Sequence, residues 1–218
     1  MSKVRQCFAN RDYLPALEKA LEVFEQVIGE KSLNIPRTKA ETAMVLAQLY
    51  LCLHEPFLAE CYARFALNCV SNGQKEAVYE LLFFCNFKTL NTEALMELVA
   101  LNRHVNDPAQ ACKWTLFEAA CLHQQGKYRE SLHTLQNERG TWGDKSGIAV
   151  AHKMLELMNL IDLHQYEWIE LRLDALRKLL KRFWNRHTKG FTPAITCSTN
   201  SYCATVTFNC FLSKRHST

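Results

Sequence analysis

The 218-residue sequence is poor in helix breakers, with 7 glycines and 5 prolines. That excludes a collagen-like repeat and a Pro/Gly-rich disordered chain. It has no run of 18 apolar residues, so no transmembrane helix is expected, and its N-terminus lacks the apolar core of an export signal. The motifs Gly-x-Ser-x-Gly, Gly-x4-Gly-Lys-Ser/Thr and His-Glu-x2-His are all missing, as is any glycine-rich loop between a strand and a helix. No Cys-x2-Cys pair occurs, and Cys197, Cys203, Cys210 and His216 stand with five or six residues between neighbours, which is not the spacing of a zinc site. No metal ligand, cofactor or catalytic residue is therefore assigned, and an enzyme is not expected.

Cysteine itself is plentiful, with ten in all. Seven of them (Cys7, Cys52, Cys61, Cys69, Cys85, Cys112 and Cys121) fall within expected helices of a chain that shows no export signal, so they read as reduced thiols acting as small apolar residues. A cytoplasmic location follows as an expectation. Cys121 with His123 offers a thiol and a base, but residues two apart on a helix point about 200° apart. Glu76/Glu80 and Glu93/Glu97 share helix faces as any solvated acidic stripe does.

What the sequence does have is helical periodicity, and 48% of its residues are hydrophobic. In Trp114 to Gln136, apolar residues Trp114, Phe117, Cys121 and Leu122 recur at helical spacing, Gly126-Lys127-Tyr128 interrupts them, and Leu132 and Leu135 resume the stripe. A glycine just past a helix end followed by a fresh amphipathic run predicts two helices folded back on each other. The same plan recurs. Ala43, Leu46, Ala47 and Tyr50 are followed by a turn at His54-Glu55-Pro56 and then by Ala59, Ala63 and Ala66. Tyr79, Leu82 and Cys85 precede a break near Thr89–Asn91, after which Ala94, Leu98 and Leu101 form the expected stripe. Leu157 and Leu160 lead to a turn at His164-Gln165-Tyr166 and then to Ile169, Leu173 and Leu176. The units start near 40, 75, 112 and 150, a spacing of 35 to 38 residues.

That period resembles the tetratricopeptide repeat family, as do Leu46, Ala47, Tyr50 and Ala59 in one unit and Gly126, Tyr128 and Ser131 in another. The family's glycine in the first helix is replaced here by Ala or Leu, and its terminal proline is mostly missing. The run Leu160 to Arg182 also resembles the last hairpin of helical-repeat proteins from Bacteroidetes-type bacteria. The resemblance implies an all-α fold, a right-handed α-solenoid of about five antiparallel helical hairpins. It also implies a concave groove, lined by first helices, that takes a peptide or a partner helix. Carried onto this chain, the lining is Met44, Gln48 and Leu51, then Tyr79, Phe83 and Asn86, then Leu116, Ala120 and His123, with Met154 and Met158 next. A lining this apolar favours hydrophobic anchors over a carboxylate clamp.

The array is expected over residues 1–185. Only Ser2 to Asn10 precede the first turn, so the first helix reads as shortened or begun upstream of Met1. Lys31 to Lys39 and Asn137 to Gly147 are the expected long connections, and Pro36, Pro56 and Pro108 mark helix starts, with Asp107 capping the last of these. Residues 186–218 read as a basic, Ser/Thr-rich tail, disordered or non-native, with a β-prone segment from Ala204 to Phe211. Charge is uneven: residues 1–110 hold 11 Lys+Arg against 13 Asp+Glu, and residues 111–218 hold 15 against 9. Arg172, Arg177, Lys178, Lys181, Arg182, Arg186 and Lys189 make a basic closing helix. The resemblance implies a non-catalytic scaffold for a protein or peptide partner, and no membrane partner is expected. The alternatives are a peptide-sensing fragment of a transcriptional regulator, or nucleic-acid contact through residues 172–189.

Overall fold

A computed structural model describes residues 4, 6, 7, 10–30, 35–71, 75–103, 107–137 and 148–188, the last six of these by backbone alone. Among the described residues the protein is all helical, with nine helices and no strand. They are α1 (Tyr13–Gly29), α2 (Pro36–Cys52), α3 (Pro56–Cys69), α4 (Lys75–Thr89), α5 (Thr92–Asn102), α6 (Pro108–Gln124), α7 (Tyr128–Asn137), α8 (Ile148–Asp162) and α9 (Tyr166–Thr188). No helix among the described residues is long and apolar enough to cross a membrane. The expected glycine-bearing loop after Asn137 and the expected tail, with its β-prone segment, lie outside the described residues apart from the end of α9.

The helix starts follow local chemistry. Pro36, Pro56 and Pro108 occupy first-turn positions, where a missing N–H costs nothing. Asp107 caps α6 by accepting a bond from the Ala109 N–H at 3.0 Å. The turns carry the repeat. Arg11, His54, Leu90, Gly126 and His164 all adopt left-handed backbone, with φ between 56° and 77°. In each turn the next residue's N–H donates five residues back, from Asp12 to Cys7, Glu55 to Tyr50, Asn91 to Asn86, Lys127 to Leu122 and Gln165 to Leu160, at 2.9–3.0 Å. This is one helix-terminating motif used five times. Two residues past each left-handed residue a new helix begins.

That fixed geometry sets which residue of the following helix turns inward. After the first four turns the fifth residue past the left-handed one is Ala16, Ala59, Leu95 or Ser131, and the ninth is Ala20, Ala63, Val99 or Leu135, all at most 3% exposed; after His164 the same positions, Ile169 and Leu173, are half-buried. The expected stripe of α5 is corrected by one residue: Leu95, Val99 and Asn102 are buried, whereas Leu101 is 63% exposed. Without a glycine or proline at Leu90, the sequence does not mark where the turn falls, and one residue of register rotates a helix face by about 100°.

The chain forms two compact units, Met1–Ala94 and Leu95–Thr218. In the first, α2 packs on α1, α3 and α4, and α3 packs on α4. Ala16 and Ala20 of α1 meet Leu46 and Leu49 of α2, and Val4, Leu17, Leu21 and Phe24 close the cluster. Ala40, Ala43 and Ala47 of α2 and Ala59, Ala63 and Ala66 of α3 are all buried, and such small side chains let helix axes approach to the short end of the usual 8–10 Å. Phe24 meets Tyr62 and Phe65 edge-on at 5.5 and 5.4 Å, and Tyr62 stacks on Tyr50 at 5.5 Å. Helix α4 is buried almost all round from Val78 to Asn86, as a central helix is. In the second unit α7 packs on α6 and α8, α9 packs on α8, and α6 touches α8 directly. Trp114, fully buried, meets Phe117 at 5.2 Å.

Candidate functional site

The nine groove positions read from the sequence fall on three helices, α2, α4 and α6. In the first unit Met44 and Gln48 of α2 and Tyr79 of α4 are half-buried, while Leu51, Phe83 and Asn86 are buried. Asn86 donates from Nδ2 to the Leu82 carbonyl at 2.8 Å, and Phe83 lies against Phe84 and Phe87. In the second unit Leu116 and Ala120 are buried and His123 is half-buried; Met154 and Met158, on α8, are half-buried too. The side chains with solvent contact are thus Met44, Gln48 and Tyr79 in one unit and His123, Met154 and Met158 in the other. They are carried by helices that pack on each other within their unit, α2 with α4 and α6 with α8.

His123 sits at the rim of a polar chain that sequence reasoning missed. Ser131, fully buried, donates from Oγ to the Ala119 carbonyl at 2.7 Å and accepts from Asn159 Nδ2 at 2.8 Å. This fixes the amide, so Asn159 Oδ1 is an acceptor and His123 Nδ1, 2.9 Å away, is the donor. Nε2 of the same ring faces Asp162 Oδ2 at 3.6 Å. The Tyr128 ring flanks the imidazole at 5.2 Å. One residue from each of α6, α7 and α8 is bound together, and the outer edge of the His123 ring lies beside the Asp162 carboxylate. The signal in the sequence was polar residues inside an apolar stripe: His152, Glu156 and Asn159 among Leu155, Leu157 and Leu160 are all buried.

A second polar cluster ties α8 to α9. Glu156, 4% exposed at its side chain, lies 2.8 Å from Lys153 Nζ and 2.7 Å from Arg172 Nε. Arg172, read from the sequence as part of a basic face, is therefore engaged by a buried carboxylate, and Lys178 pairs with Asp174 at 2.7 Å. Burial first and Glu60 second push the Cys85 thiol up to about 12. Burial first and Glu118 second do the same to Cys121, also to about 12. Both thiols stay protonated at neutral pH, where a thiol is a weak nucleophile and a poor metal ligand. Among the described residues no group of three or more His, Cys, Asp or Glu is placed to hold a metal ion. Compared with known proteins, the chain matches no family model, no curated protein and no solved structure.

Proposed function

We propose that the chain is a non-catalytic protein-interaction module, a right-handed, tetratricopeptide-like stack of antiparallel helical hairpins whose first helices receive a peptide or a partner helix. The observation that carries this reading is the direct packing of first helix on first helix within each unit, α2 on α4 and α6 on α8. Stacking of that kind leaves a strip of side chains belonging to neither core, here Gln48, Met44 and Tyr79 in one unit and His123 and Met158 in the other. Their mixture of thioether, aromatic and amide groups suits an amphipathic segment, with apolar anchors set beside one or two hydrogen bonds.

The test is affinity capture from native extract with the full chain, beside Gln48→Ala/Tyr79→Ala and His123→Ala variants. Gln48 and Tyr79 are half-buried at the surface; His123→Ala also takes the donor at 2.9 Å from Asn159 Oδ1, so unchanged far-UV circular dichroism and urea unfolding are required of it before its capture is compared. Capture that falls about tenfold or more in the variants supports the reading; capture that is equal for all three proteins refutes it.

A further inference from the structure

Helix α9 carries a second apolar stripe, distinct from the one it turns toward α8. At about 100° per residue, Trp168, Leu171, Ala175, Leu179 and Arg182 fall within one arc about 80° wide. That arc lies about 120° around the helix from the inner stripe of Ile169, Leu173 and Leu176. On this arc Trp168 is 54% exposed and Leu171 59%, and Ala175 and Leu179 are half-buried. The helix has 23 residues against 15 in α8, so it also outruns its packing partner by roughly 12 Å at a rise of about 1.5 Å per residue. An exposed tryptophan and an exposed leucine one turn apart, continued by half-buried Ala175 and Leu179, form a connected apolar strip rather than scattered apolar residues.

The charges along the same helix are sorted by position. Apart from Arg172, which is held by Glu156, Glu167, Glu170 and Asp174 occupy the first half, and Arg177, Lys178, Lys181 and Arg182 the second. Asp174 and Lys178 share one flank of the stripe, as their 2.7 Å ion pair shows. Two such helices side by side and parallel would set acid against acid and base against base. Antiparallel, about a two-fold axis at Ala175, each acidic half meets the other's basic half: the copy's Lys181 comes within two residues of register with Glu167, and the flank neighbours nearest to Asp174 are the copy's Lys178 and Asp174, so each Asp174 gains a lysine on one side. Leu171 then comes opposite Leu179, Trp168 opposite the Arg182 guanidinium in cation–π reach, and Ala175 crosses Ala175, where the small side chain permits close approach. An identical pair related by a two-fold axis closes on itself and leaves no open end.

We propose that the outer stripe of α9 is the self-association surface of this protein, and that its occupant is the α9 helix of a second copy, packed antiparallel. The paired stretch from Trp168 to Arg182 is about four helical turns, or ~21 Å. So short a seam predicts a reversible dimer with a dissociation constant on the order of 10 µM.

Sedimentation equilibrium of the full chain across concentrations from about 1 to 100 µM reads this directly. The wild type is expected to pass from monomer to dimer over that range. Leu171→Asp is expected to weaken association at least about tenfold, and Asp174→Lys, which sets Lys against Lys across the axis, to do likewise. The double exchange Asp174→Lys/Lys178→Asp restores complementarity and is expected to return the constant to within about threefold of wild type. Leu171, Asp174 and Lys178 are all exposed, and unchanged far-UV circular dichroism checks that each variant folds. A wild type that stays monomeric, a dimer untouched by Leu171→Asp, or charge reversal without effect overturns the proposal.

Discussion

Removing the Asn159 side chain tests whether the buried polar chain holds α6, α7 and α8 together. In Asn159→Ala, Ser131 Oγ loses the donor at 2.8 Å and His123 Nδ1 loses the acceptor at 2.9 Å. The inner bond lies at a fully buried site, where an unmet group costs about 1–3 kcal/mol; the outer one is at a ring that water can reach, and costs less than about 1 kcal/mol. The lost atoms leave a small cavity worth about 1 kcal/mol more. The sum is about 3 kcal/mol. Asn159→Leu refills much of the space but leaves the same polar groups unmet, so it is expected to recover about 1 kcal/mol and no more. Ser131→Ala, which strands Asn159 Nδ2, is expected to cost about 2 kcal/mol. Because the two residues serve each other, the double variant should cost at least about 1 kcal/mol less than the sum of the singles. Urea unfolding followed by far-UV circular dichroism and tryptophan fluorescence measures all four proteins. A cost below about 1 kcal/mol for Asn159→Ala, or additivity within about 0.3 kcal/mol, would refute the assignment of the chain as a structural clamp.

Ala63 is fully buried in the α3 face toward its neighbours, so Ala63→Leu overpacks a close helix contact and should cost about 3 kcal/mol in urea unfolding. A loss under about 0.5 kcal/mol would mean the helices are not held close there. Leu90 pays for a left-handed φ of 61° with its side chain 56% exposed, so Leu90→Gly should raise stability by about 0.5–1 kcal/mol despite glycine's greater entropy when unfolded; a comparable loss would refute the turn geometry. Cys85 and Cys121 are raised from 9.0 to about 12. Below pH 9 both native and unfolded thiols are protonated and the contribution is complete. Above it the unfolded thiols ionise first, so stability falls by about 1.4 kcal/mol per pH unit per thiol until the native value is reached. Unfolding measured from pH 8 to 10.5 should therefore decline more steeply for the wild type than for Cys85→Ala/Cys121→Ala, and parallel slopes would contradict the burial of these thiols.

The parts of the fold legible in the sequence are those with local punctuation. Pro56 and Gly126 mark their turns outright, and the alanine faces of α2 and α3 fall where periodicity put them. Leu90 carries no such mark: a leucine in left-handed backbone resembles any other leucine until the turn's hydrogen bond is seen, so the α5 face was read one residue out of register. The first helices raise a different difficulty. In α4 the run Leu81–Cys85 is apolar on every side, and in α6 Trp114 to Leu122 is nearly so. Periodicity in such helices does not separate a side chain that lines a surface from one that joins two helices, and Phe83, Asn86, Leu116 and Ala120 prove to be buried where Gln48, Tyr79 and His123 keep contact with solvent. The Ser131–Asn159–His123 chain joins positions 28 and 36 residues apart, beyond the reach of any local pattern, although polar residues within the α8 stripe signalled that something buried had to satisfy them.

The account rests on one turn used repeatedly to set the inward face of each following helix. Nuclear magnetic resonance of the full chain, reading backbone couplings and amide exchange, tests it at five places at once. Positive φ is expected at Arg11, His54, Leu90, Gly126 and His164, with slowly exchanging amides at Asp12, Glu55, Asn91, Lys127 and Gln165. Negative φ at Leu90 or His54, with fast exchange at Asn91 or Glu55, would contradict it.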